Sequence, residues 1–446
     1  MKQITISEYG FIGCDNIPTD KTKFVSDRTL NKKEFYELKN YWESSKETFK
    51  LFTLESPTCL KATNYVGVVQ THSLSLEILP KIYKKTNEQQ HRKILIEMLK
   101  PLIGINEIFI DEADLDISEY ANIYELFITM FVKEVDRLIH KGLKSEYILQ
   151  EENQPFLKGK LKLNEHLKRN YIHRERFFVE YDEYLQDRVE NRLLKSSINL
   201  LLSHSNDYEN KKALRQQLFI FDSVAFSTNY EIDFTKVNLH RGMEHYEKAM
   251  RFAEVFLLNS SFSSVRGNDS VFSMLFPMEK VFEDYMEYVL ENSKEVLGIN
   301  KIHINGYKGD WLLQNGNCKM INQQPDYLLE MNNEQIIVCD AKWKLFDVNA
   351  NESKDCFSMS LSSTDVYQIL SYLNYYDNVC DTAYIFAPKT DDFNNEQTFN
   401  YLKYKNKYKN QVNGKKLIVV PIDLDVLIKN HTINYSFCKE SAIINQ

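Results

Sequence analysis

The chain has 446 residues, 43% of them hydrophobic and 26% charged, with a formal net charge of −8. That length exceeds one ordinary core and predicts two or three domains, while the excess of acid excludes a surface that is basic all over, so a polyanionic partner has to be met by local basic patches or bound cations. Seven cysteines with no CxxC pair and no zinc-like His/Cys spacing point to reduced thiols and a cytoplasmic location, and no window approaches the run of about 18 apolar residues that a membrane span needs.

Residues 1–90 read as a β-rich domain. "MKQITISEYGFIGCDN" has no apolar core of signal-peptide length, and "KQITISEYG" alternates apolar and polar residues at period two, as a strand does. "NKKEFYELKNYWESSKETF" sets Phe35, Leu38, Tyr41 and Trp42 on one helical stripe. "NYVGVVQTHSLSLEILPKI" predicts a hairpin, with a polar break at Thr71–Ser73, alternating Leu74, Leu76 and Ile78, and Pro80 to close it.

Residues 91–265 read as mainly helical. "HRKILIEMLKPLIGI", "IYELFITMFVKEVDRLIHKGL", "ENRLLKSSINLLLSHS" and "MEHYEKAMRFAEVFLLNS" are amphipathic, and Gly142 stands where a helix C-cap is expected. Among them lies "LKGKLKLNEHLKRNYIHRERFFVEYDE", which carries Lys158, Lys160, Lys162, Lys168, Arg169, Arg174 and Arg176 against few acids. A solvated basic face and a contact with nucleic acid or an acidic partner fit that stretch equally. "NSSFSSVRGNDS", residues 259–270, is small and polar and is the linker candidate.

Residues 266–446 change pattern again. A helix is expected over 275–293, strands to about 345, a helix over 364–377, a strand over 382–387, then a basic stretch and a strand over 416–420. Strands mixed with helices predict an α/β domain.

The chemistry concentrates in "QIIVCDAKWK", residues 335–344. Charges are out of place in a buried strand, because an unpaired buried ion is costly. Strand side chains alternate faces, so Asp340 and Lys342 share one face. Just upstream, a three-residue loop of Asn332, Asn333 and Glu334 would set Asp326 opposite Asp340, with Cβ atoms about 5 Å apart. A two-residue loop shifts the pairing by one and keeps the acids adjacent. Carboxylates held together repel unless a cation lies between them. Mg²⁺, or Mn²⁺ in its place, takes few carboxylates and keeps sites for water and phosphate. A lysine on the same face then positions or deprotonates the attacking water, which is metal-assisted phosphodiester hydrolysis.

Pro325–Asp326 followed some fourteen residues later by Asp340–Ala341–Lys342 resembles the PD-(D/E)xK nuclease core. The resemblance implies a third acid from the helix before the sheet, for which Glu283 is the candidate and Glu279 the second choice. An ordinary helix-surface glutamate is the competing reading. "DVYQILSYLNYY" puts Gln368 and Tyr372 one turn apart, similar to the Q-x-x-x-Y of RecB-group nucleases, although such spacing also arises from core packing. Gln368 would then orient the site or the DNA. Lys344, Tyr372 and the lysines of "FNYLKYKNKYKN" (Lys403, Lys405, Lys407 and Lys409) are candidate DNA contacts, with a solvated helix or loop face as the alternative for the latter. The chain carries no P-loop, G-x-S-x-G, H-E-x-x-H or G-x-G-x-x-G.

"VGVVQTHSLSLEILPKI", "GLKSEYILQEENQPFLKGKLKLNEHLKRN" and "EYDEYLQDRVENRLLKSSINLLL" resemble the McrC family, the nuclease subunits of McrBC-type restriction systems. That resemblance runs along most of the chain. It implies a McrB-like AAA+ GTPase hexamer as partner, an N-terminal region that docks on it and stimulates it, GTP used by the partner and not by this chain, and double-stranded DNA as substrate. The alternatives are a non-catalytic activating subunit of the GTPase and a stand-alone repair nuclease.

Overall fold

The structure is a computed structural model, and it describes residues 1–14, 28–43, 50–82, 88–104, 123–258, 272–307, 311–315, 318–346, 361–376, 380–406, 409–435 and 437. The linker candidate at 259–270 lies outside them. Contacts divide the chain into two compact units, one of Met1–Leu102, Asn106–Asp111 and Leu275–Gln446, the other of Ile103–Ile105 and Glu112–Met274. The first ninety residues and the C-terminal α/β region, expected as separate domains, therefore fold as parts of one unit. The middle region interrupts that unit in sequence.

In the first unit the expected hairpin forms between strands Tyr65–Gln70 and Leu74–Leu79, with Val69 opposite Leu76. Strand Lys2–Ser7 adds in parallel to Leu74–Leu79. Helix Lys32–Glu43 buries Phe35, Leu38, Tyr41 and Trp42, the stripe read from the sequence.

The C-terminal part is a six-stranded mixed sheet. Its order is Ile299–Ile304, Tyr327–Met331, Ile336–Ala341, Thr382–Pro388, Lys409–Ile422 and Gln397–Asn406. The first two pairs are antiparallel, the next two parallel, and the last antiparallel. Parallel pairing of Ile336–Ala341 with Thr382–Pro388 needs a crossover, and helix Ser363–Tyr375 lies in it. One face of the sheet packs on that helix through Leu328, Val338, Ile369, Leu373, Ile385 and Val419, all buried. Helix Met278–Asn292 is held to the sheet by Tyr327, whose hydroxyl donates to the Glu283 carbonyl at 2.6 Å.

The basic "FNYLKYKNKYKN" stretch is neither helix nor loop. It forms strand Gln397–Asn406 and the start of Lys409–Ile422, with Lys403 opposite Gln411. Alternating Lys and Tyr is a period-two pattern, and charge density masked it. Lys407 lies outside the described residues, as do the side chains of Lys403, Lys405 and Lys409.

The second unit is not only helical. Strands Glu146–Gln154, Phe177–Leu185 and the short Lys160–Leu161 make a three-stranded antiparallel sheet. Helices Ile123–Lys141 and Glu247–Leu258 pack through the edge-on aromatic pairs Phe131–Phe252 and Phe131–Phe256. Gly142, at φ +90°, ends the first of these helices as a C-cap should. The basic stretch here is substantially neutralised: Lys162 meets Glu151 and Glu180, Lys158 meets Glu183, and Lys168 and Arg169 meet Glu165. Tyr147, Tyr171 and Ile172 of the same unit stay 72%, 77% and 82% exposed. No described helix is long and apolar enough to cross a membrane.

Candidate active site

Asp326 immediately precedes its strand, Tyr327–Met331, and Asp340 is the penultimate residue of Ile336–Ala341. Tyr327 pairs with Cys339 and Leu328 with Val338, so the register continues one step to set Asp326 opposite Asp340. The connection is the three-residue loop Asn332–Glu334. Met331 N–H donates to the Gln335 carbonyl at 2.8 Å, and Glu334 takes the left-handed conformation, φ +66°, that closes such loops. Upstream, Gly306 at φ +70° approaches so closely that a Cβ there would meet Pro325 Cδ at 3.0 Å. Asn305 N–H then donates to the Asp326 carbonyl at 3.1 Å. Backbone packing on both sides thus fixes where Asp326 enters the sheet.

Asp340 is fully buried, and neither carboxylate oxygen has a well-directed hydrogen bond. Lys342 Nζ lies 2.7 Å from Asp340 Oδ2. That is an ion pair, so the lysine compensates the buried charge. Asp326 Oδ2 accepts from Ala341 N–H at 2.8 Å. Burial pushes both carboxyls above the ordinary aspartate range. For Asp340 the charge of Asp326 adds to the rise and Lys342 opposes it. The two acids titrate as a pair, and the pair holds protons that a solvated carboxylate would have lost.

Glu283 sits within electrostatic reach of Asp326, Asp340 and Lys342, and its carboxyl is pushed up to about 7, first by burial and then by Asp326. Lys280 lies 3.8 Å from it. Among the described residues no three His, Cys, Asp or Glu side chains converge closely enough to enclose a metal. The structure therefore brings Asp326, Asp340 and Lys342 together and leaves Glu283 at the rim. Glu279, the second choice, accepts instead from Asn64 Nδ2 at 2.8 Å.

Gln368 and Tyr372 join the same side of the sheet. Gln368 Nε2 donates to the Tyr372 hydroxyl at 2.9 Å, and that hydroxyl donates to the Gln324 carbonyl at 2.9 Å, two residues before Asp326. Tyr372 is buried, so it braces the Asp326 segment. Lys344 is ion-paired with Asp365, the third residue of a capping box on Ser362. The pairing ties the strand end to the Gln368 helix. The S-x-x-D signature at Ser362–Asp365 was visible in the sequence, but the Lys344 partner was not.

The buried oxygens of Asp340, facing the Asp326 carboxylate across the strand pair, fit a hard divalent cation that completes its shell with water. Fold and site together define a mixed α/β protein with a two-carboxylate, one-lysine centre at the end of a central strand. Among known proteins, the model of the McrBC 5-methylcytosine restriction system component matches residues 60–387. The chain belongs to that family, as the McrC resemblance implies. A solved half-complex from a tetradecameric assembly of Thermococcus gammatolerans McrB AAA+ hexamers with bound McrC is similar at TM-score 0.60 and 20% identity, over 95% of this chain and 94% of that one. The T. gammatolerans McrBC complex solved by cryo-EM is similar at TM-score 0.48 and 24% identity, over 65% and 87%. No curated protein matches the chain.

Proposed function

We propose that the chain is the DNA-cleaving subunit of a McrBC-type restriction system: a metal-dependent endonuclease with a PD-(D/E)xK core, acting with a McrB-like AAA+ GTPase that it stimulates. The observation that carries this reading is the pair Asp326 and Asp340, forced together at strand ends with Lys342 on the same face. A fold under no functional demand gains nothing from two adjacent buried carboxylates.

Asp326 and Asp340, with Glu283 at the rim, would hold Mg²⁺ or Mn²⁺. When bound, the cation neutralises charge on the scissile phosphate and makes a coordinated water more acidic. Lys342 keeps a positive charge beside Asp340, its ammonium stabilised by both aspartates, and so can orient a water or an oxyanion by donating hydrogen bonds. Tyr372 and Gln368 hold the Asp326 segment in register. GTP binding is left to the partner, since this chain has no P-loop.

The relative's assembly, with McrC on McrB AAA+ hexamers, supports the partner assignment. We place the docking surface on the N-terminal region, residues 1–90, as the McrC resemblance implies.

The test is Asp340→Ala, assayed with the partner GTPase, GTP and DNA. Cleavage should fall at least a hundredfold while GTPase stimulation stays within about twofold. Undiminished cleavage would overturn the assignment.

A further inference from the structure

Glu8 is a buried acid that the proposed chemistry does not use. It is 1% exposed, at the end of the strand Lys2–Ser7. Its carboxylate accepts from Trp343 Nε1–H at 2.9 Å to Oε1 and 3.2 Å to Oε2, and Oε1 also accepts from Lys81 N–H at 3.1 Å. Its own N–H donates to the Leu79 carbonyl at 2.9 Å. The acid is thus fixed to two strands of the N-terminal sheet and reaches across to the nuclease strand.

Trp343 follows Lys342 directly. The strand ladder ends at Ala341, and beyond it Lys342 N–H donates to the Phe386 carbonyl at 2.9 Å before Lys344 N–H turns back onto the Lys342 carbonyl at 2.9 Å. The segment that aims Lys342 therefore has one ladder-like bond and then a turn. The Trp343 indole supplies what the ladder no longer does. It is 9% exposed, lies against Phe282 at 5.3 Å between ring centroids, and is anchored at its N–H by Glu8. Phe282 in turn precedes Glu283.

We propose that Glu8 is a positioning residue for the metal centre: through the Trp343 N–H it fixes the strand end so that Lys342 faces Asp340, and it thereby ties the N-terminal sheet to the nuclease site. The proposal rests on the nuclease reading above. A carboxylate buried this deeply is held up at about 7, chiefly by burial, so it stands there against its own desolvation. An anchor for Trp343 accounts for it.

The experiment uses the full chain with its partner GTPase, comparing wild type with Glu8→Ala, Glu8→Gln, Trp343→Phe and Asp340→Ala. Three readouts are needed: the kcat and KM of DNA cleavage, Mn²⁺ binding to the chain alone, and Trp343 emission in a Trp42→Phe/Trp311→Phe background. Glu8→Ala and Trp343→Phe should each lower kcat about tenfold, with KM and Mn²⁺ affinity within about twofold. Glu8→Ala should shift Trp343 emission to longer wavelength. Glu8→Gln keeps an acceptor for the indole and should restore both kcat and emission. Combining Glu8→Ala with Trp343→Phe should cost no more than either alone. If Glu8→Ala does not fold, Trp343→Phe decides by the same kcat criterion. Cleavage within twofold of wild type in Trp343→Phe, or in a folded Glu8→Ala, overturns the proposal. So does a Glu8→Gln variant as impaired as a folded Glu8→Ala. If Asp340→Ala also cleaves normally, the nuclease reading itself fails; if Asp340→Ala is dead and Trp343→Phe is not, only the role of Glu8 does.

Discussion

Asp340 is where the proposed catalysis and stability pull in opposite directions. Its buried oxygens lack well-directed donors and face Asp326. Replacing the charge by an amide should therefore stabilise the metal-free protein. We predict that Asp340→Asn raises unfolding free energy by about 1–2 kcal/mol in EDTA at pH 8, measured by urea denaturation, while abolishing cleavage. A destabilised Asp340→Asn would show that the carboxylate has partners this geometry lacks. Burial raises Asp340, Glu8 and Glu283 above their ordinary values, the latter two to about 7. A raised acid binds its proton more tightly when folded, so its contribution is full below about pH 4 and is lost as pH climbs through about 7. The metal-free chain should accordingly lose stability between about pH 4 and 7, by at most about 1.4 kcal/mol per pH unit for each deeply buried acid. Glu283 contributes less because its side chain is 33% exposed. Divalent metal should remove the share of Asp340 and leave that of Glu8. Melts at several pH values with and without Mn²⁺ check this.

Secondary-structure elements show why part of the site was legible. Period-two alternation and a three-residue loop were enough to set Asp326 against Asp340, because both are local in sequence. The i, i+4 spacing likewise put Gln368 beside Tyr372. Partners distant in sequence escaped: Lys344 pairs with Asp365, and the Tyr372 hydroxyl donates to the Gln324 carbonyl. The lysine-tyrosine stretch was misjudged because its charges hid a strand. The Gln368 helix owes its start to the Ser362 capping box, in which Ser362 Oγ accepts from Asp365 N–H at 3.2 Å. Ser362→Ala should cost about 1 kcal/mol. It should also loosen the Lys344–Asp365 tie, which hydrogen exchange over the first turn of the helix would detect. Unchanged protection there would mean that the cap is dispensable.

The whole molecule is built from a discontinuous unit and a continuous one. The ends of the chain share a core: Met278 N–H donates to the Asn64 carbonyl at 2.8 Å, Gln90 bonds Asp425, and Glu8 bonds Trp343. A fragment of residues 112–274 should therefore fold alone with a cooperative melt. Residues 275–446 should not do so unless residues 1–102 are supplied. A cooperative melt from 275–446 by itself would contradict this division. The Glu8–Trp343 bond spans 335 residues of sequence, and that separation has a temporal meaning. A ribosome adds roughly 5–20 residues per second, so Glu8 emerges tens of seconds before the indole it holds. A nascent chain that stalls anywhere before Trp343 has its anchor without the residue it steadies, and on our reading the proposed metal centre is then left unbraced.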